Sequence, residues 1–218
     1  MSLRLPVVPR PRLRGVLHAW AFPISLVSGA VLVAMAPTQR ALAAAAIYAA
    51  TLSGLLGVSA LYHRVHWSAA ADRWMQRLDH SMIFCLIAGT FTPFCALTLQ
   101  GRLGSGLLAV VWGGAVAGIV TKLAWADGPR WVTAVIAVTL GWVAVVAMPA
   151  LVARAGWVPT GLLMLGGILY SLGAVVYMRR HPDPAPSVFG YHEVFHALVI
   201  AAALAHYAAV AGWVIPRT

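Results

Sequence analysis

Two histidines flank a glutamate in His192-Glu193-Val194-Phe195-His196, a stretch of the form H-E-x-x-H. On a helix, residues four apart leave the same face one turn apart, so both imidazoles can reach one ion. Imidazole nitrogen suits zinc, and three protein ligands with one open position make up a catalytic zinc site. Zinc peptidases use this same spacing, with the glutamate as general base. The downstream residues argue against that chemistry here. No acidic residue follows Glu193, which excludes a glutamate as third ligand and leaves no later aspartate for an intramembrane protease. Val199 and Ala202 stand where the longer metalloprotease motif needs a glycine and a third histidine. His206 lies ten residues past His196, about 15 Å along a helix and out of reach of the same ion. The third ligand must come from upstream, and His63 is the best placed.

The elements that must carry these residues are membrane spans. Of the 218 residues, 61% are hydrophobic and 9% charged, against about 25% charged in an ordinary soluble domain. A bilayer core is crossed by about 20 apolar residues in a helix. Seven stretches qualify, near 17–36, 41–62, 80–99, 104–124, 131–151, 158–178 and 194–214. The breaks carry turn residues, among them Gln100-Gly101-Arg102, Asp127-Gly128-Pro129 and His181-Pro182-Asp183-Pro184. Trp67, Trp74, Trp125, Trp131, Trp157 and Trp213 lie near the span ends, where interfacial indoles belong. The expected fold is all-α, a seven-transmembrane-helix bundle over residues 17–214, with a basic tail at 1–16 and a short tail at 215–218. The twenty-residue apolar run after the basic tail is longer than a signal-peptide core, so a retained first helix is expected. Cys85 and Cys95 are too far apart on one helix for a disulfide and read as small apolar fillers.

A net charge of +10 could suggest nucleic acid, but the fifteen basic residues sit between apolar segments and line no single face. No nucleic-acid partner is expected. Eleven of them fall on one side of the membrane, namely Arg4, Arg10, Arg12, Arg14, Arg64, Arg73, Arg77, Lys122, Arg130, Arg179 and Arg180. Four fall on the other: Arg40, Arg102, Arg154 and Arg217. The positive-inside rule then places the N-terminus in the cytoplasm and the C-terminus outside. In that topology the second helix ends, and the third and seventh begin, at the cytoplasmic face. His63, Asp79, His192 and His196 therefore meet at one depth.

Ser59-Ala60-Leu61-Tyr62-His63, Leu78-Asp79-His80-Ser81-Met82-Ile83-Phe84, Ile87-Ala88-Gly89-Thr90-Phe91-Thr92-Pro93-Phe94 and Phe189-Gly190-Tyr191-His192-Glu193-Val194-Phe195-His196 together resemble the signatures of bacterial hemolysin III proteins. The wider superfamily includes the adiponectin and progestin receptors and, more remotely, alkaline ceramidases. The resemblance spans about residues 15–213. It implies seven helices with the amino end inside the cell, in a bacterial plasma membrane. It also implies a Zn2+ ion on His63, His192 and His196, an aspartate at Asp79 holding the zinc-bound water, and a serine at Ser59. Receptor relatives often carry glutamine at the position of Glu193, which weakens its reading as a base. Trp20-Ala21-Phe22-Pro23 departs from the glycine-containing continuation the family pattern leads one to expect, leaving the first helix less secure.

Around this set, His80 and His18 are candidate partners of the ligands, with an ordinary interfacial role as the alternative. Asp79 can also serve as a cap for the third helix, and Ser59 as a packing residue bonded to its own helix. Arg64, Arg73 and Arg77 suit anionic lipid headgroups. Pro93 is expected to kink its helix, and Gly166-Gly167 to permit close helix packing. Three functions follow. The first is a zinc-dependent hydrolase of a lipid amide or ester, with Asp79 as base and Ser59 near the developing oxyanion. The second is a membrane sensor or homeostasis protein with structural zinc, binding a lipid ligand. The third is the pore suggested by the hemolysin name, which the lack of mid-membrane acidic residues disfavours.

Overall fold

The computed structural model describes residues 11–125 and 128–217. Arg4 and Arg10 of the basic tail, Asp127 of the fourth-to-fifth connection and Thr218 lie outside the described residues. Seven helices are long and apolar enough to cross a membrane: α1 Val16–Ala34, α2 Gln39–Arg64, α3 Ala69–Leu99, α4 Gly101–Ala124, α5 Arg130–Ala155, α6 Trp157–Arg179 and α7 Tyr191–Arg217. Each apolar stretch read from the sequence corresponds to one of them. The chain is a multi-pass membrane protein.

Sequential neighbours pack against each other, and α1 also touches α7, which closes the ring. Helix α3 lies at the centre, with 67% of its most apolar window buried against 17% for α6. The distribution of side chains is that of a bundle in lipid. Trp20, Val27, Val146 and Trp157 are exposed on the outside. Serines, threonines, histidines and Glu193 are buried inside, where partners from other helices are within reach. Close approach depends on small residues. A Cβ on Gly89 would run into the Thr51 hydroxyl, and one on Gly29 would lie 2.9 Å from the Ala49 Cβ.

The third helix departs most from the apolar-run reading. It starts at Ala69, eleven residues before the apolar stretch, because Ser68 caps it by accepting the Ala71 N–H and Asp72 sits in its first turn. Asp79 therefore lies inside the helix and is not its cap. At Pro93 the helix widens into a π turn, Phe94–Leu99, since proline supplies no N–H and crowds the carbonyl four residues back. Arg154 of α5 donates to the freed Leu99 carbonyl, and Arg217 donates to the Ala155 carbonyl at 2.9 Å. These two arginines of the less basic side thus serve as helix-end donors. In α5, Pro149 is preceded by a tightened 3₁₀ turn at Val143–Ala147. Helix α1 runs unbroken through Pro23, so the departure at Trp20–Pro23 leaves it intact.

Candidate metal centre

His63 sits on the last turn of α2, and His192 and His196 lie on the first two turns of α7. One ring nitrogen from each falls within 4.8 Å of the others. The Nε2 atoms of His63 and His192 are 3.3 Å apart. Tetrahedral zinc with bonds of about 2.0–2.1 Å places its ligand nitrogens roughly 3.4 Å apart, a spacing the His63–His192 pair already has. This group of three histidines could hold a metal ion, and its member outside the H-E-x-x-H pair is His63 of α2.

His18 reinforces the group. Its ring is buried and stacks on His196, with centroids 3.9 Å apart and planes 7° from parallel. Ser59, one turn before His63, is buried and lies beside the Asp79 side chain. Ser59, Asp79 and His80 line one cavity together with His192 and His196. His80 shares that wall, and its Nδ1 is buried without a hydrogen-bond partner among the described residues. Tyr177 of α6, which sequence reading did not single out, places its ring 5.7 Å from that of His192 and lies beneath the Arg130 guanidinium.

The glutamate of the motif faces away from this chemistry. Glu193 is 1% exposed, and its Oε1 accepts from the Arg14 Nε at 2.6 Å. Its Oε2 accepts the Gly190 N–H at 2.8 Å, which is the returning half of a capping box at the third residue of α7. Gly190 has no side chain to complete the box, and Asp183 acts instead by accepting the Tyr191 N–H at 2.8 Å. Arg14 was legible only as one more basic residue of the tail. The signal that could have found its partner is the glutamate three residues after the Phe189-Gly190 turn. The segment before α1 is held down by more than this ion pair. The N–H groups of Arg12 and Leu13 donate to the carbonyls of Ser187 and Val188, each at 3.0 Å. Gly15, at φ +76°, crosses so near His63 that a Cβ there would lie 2.5 Å from the histidine Cβ.

The cavity has a volume of about 190 Å³. Its lining includes Asp79 and the two α7 histidines, Ile83, Phe91 and Met148, and His206. His206 is placed away from the metal group, its Nε2–H donating to the Leu163 carbonyl at 3.0 Å. Gly166 permits this approach, because a Cβ there would meet the imidazole, whereas Gly167 faces open space. Only the first of the two glycines serves packing.

The family described as haemolysin-III related matches residues 7–207. Hemolysin-3 of Bacillus cereus is 32% identical over 180 residues, covering 82% of this chain and 78% of the relative. The hemolysin-3 homolog of Bacillus subtilis (strain 168) is 34% identical over 142 residues, or 65% of this chain and 63% of its own length. The monocyte to macrophage differentiation factor of Homo sapiens is 27% identical over 199 residues, covering 88% and 79%. No solved structure matches. A match that begins before α1 and ends in α7, joined to seven apolar helices, gives the conclusion that this chain belongs to the haemolysin-III-related family of membrane proteins.

Proposed function

We propose that the protein is a zinc-dependent hydrolase of a lipid amide or ester, working at the cytoplasmic face. The observation that carries this reading is the convergence of three histidine nitrogens, two of them from residues on the wall of a largely apolar cavity. That combination suits a substrate whose acyl chain lies within the bundle and whose polar linkage meets the histidines. His63, His192 and His196 would hold the ion, which supplies Lewis acidity and makes water nucleophilic near neutral pH. Asp79 orients the attacking water and takes its proton. Ser59, beside Asp79, is placed to steady that carboxylate. His18 restrains the His196 ring by stacking, and Glu193 secures the helix start.

The test is release of fatty acid from a defined ceramide or lysolipid by purified, zinc-loaded protein in nanodiscs. Wild type releases acid and His192→Ala does not; equal release from both ends the hydrolase reading. A second reading draws on the fact that the three ligands bridge α2 and α7, so that zinc braces the bundle of a non-enzymatic sensor. Asp79→Asn separates the two. It retains zinc in either case, and abolishes turnover only in a hydrolase.

A further inference from the structure

His192 and His196 line the cavity at one level of α7. His206 of α7 and Tyr170 of α6 line it at another. Ten residues separate His196 from His206 on one helix, a rise of about 15 Å. Because the His206 Nε2–H donates to the Leu163 carbonyl, the neutral ring carries its free lone pair on Nδ1. That atom is buried and has no hydrogen-bond partner among the described residues, and the Tyr170 hydroxyl is in the same condition. The two rings lie 5.5 Å apart, centre to centre. Gly166 lets α6 press on the imidazole, so the ring is held in place.

A buried polar atom left unpaired costs about 1–3 kcal/mol, and the hydrocarbon around the bundle supplies no water to pair it. Two such atoms on the wall of an apolar cavity therefore select for a particular occupant. A methyl terminus satisfies neither. A carbonyl cannot donate to Nδ1. A hydroxyl can donate to Nδ1 and accept from Tyr170 at once.

We propose that His206 and Tyr170 form a recognition site for a hydroxyl group borne on the apolar chain of the lipid in the cavity, remote from the three histidines. This rests on the reading of the cavity as an acyl-chain site and does not require turnover. The same hydroxyl chemistry is available from a single trapped water, and the experiment distinguishes the two sources.

Purified protein in nanodiscs is titrated with stearic acid and with hydroxystearic acid bearing its hydroxyl past mid-chain, and bound acid is counted by native mass spectrometry. Wild type should prefer the hydroxy acid by about tenfold, the equivalent of one to two net hydrogen bonds. Tyr170→Phe, which removes one oxygen atom, should reduce that preference to about threefold or less, and His206→Phe should abolish it. Retained zinc in each variant shows that the bundle is intact. Equal affinity of wild type for the two acids overturns the proposal and assigns the site to water. A preference unchanged in both variants overturns it as well. If neither acid binds, the proposal and the acyl-chain reading fall together. If the preference holds but no lipid is hydrolysed, only the hydrolase reading is lost.

Discussion

Glu193 separates two physical accounts of the H-E-x-x-H sequence, and the Arg14–Glu193 pair gives the separation a magnitude. Glu193 is 1% exposed and Arg14 19%, with Nε and Oε1 2.6 Å apart. Arg14→Ala strands a carboxylate that has almost no contact with solvent. Breaking a buried pair from one side costs about 3–5 kcal/mol, and the partial exposure of Arg14 argues for the lower end. Glu193→Gln is milder, since the amide oxygen still accepts the Gly190 N–H and Arg14 can reach water or headgroups; about 1–2 kcal/mol is expected. His192 precedes Glu193 directly, so fraying of this first turn is felt at the metal group. If about 3 kcal/mol passes into that turn, zinc affinity falls by roughly a hundredfold in Arg14→Ala. The assay is competition for zinc against a chromophoric chelator, with thermal unfolding measured beside it. Arg14→Ala should weaken zinc more than Glu193→Gln. The double variant should lose less than the sum of the two, because no stranded charge remains. The reasoning is refuted if Glu193→Gln leaves zinc affinity and melting unchanged while removing all turnover. That is the behaviour of a peptidase-type base and not of a helix latch.

Three other outcomes are expected. Metal analysis of purified protein should find one zinc per chain in wild type and a large loss in His63→Ala; full retention would show that α2 supplies no ligand. Gly89→Val should lower the unfolding midpoint, costing at least about 1–3 kcal/mol, because its side chain meets Thr51 at the α2–α3 contact. An unchanged midpoint would contradict the packing. Ser187→Cys, in the loop that pairs with the segment before α1, should react with an impermeant maleimide only from the cytoplasmic side. Labelling in intact cells from outside would reverse the topology and move the histidines to the other face.

The sequence by itself determined the number and order of the helices. Lipid demands long apolar runs with their backbone bonds made internally, and such runs are local and visible. It also limited the metal chemistry, since the residues after His196 offer no third ligand within reach of the same ion. Helix ends were less legible where a polar cap extended the helix beyond the bilayer, as Ser68 does for α3. Only the tertiary structure decided what depends on contacts between distant segments. Arg14 meets Glu193 across 179 positions of chain; the glutamate at the start of α7 marks one partner, and nothing near Arg14 marks the other. His18 reads from sequence as a candidate partner of the ligands or an ordinary interfacial histidine, and only the fold shows it stacked on His196, where α1 packs against α7. His206 and Tyr170 become a pair through the close approach of α6 and α7 at Gly166. Hydrophobic periodicity specifies which segments enter the membrane. The shapes and partners of individual side chains specify how those segments meet, and that is where the chemistry is placed.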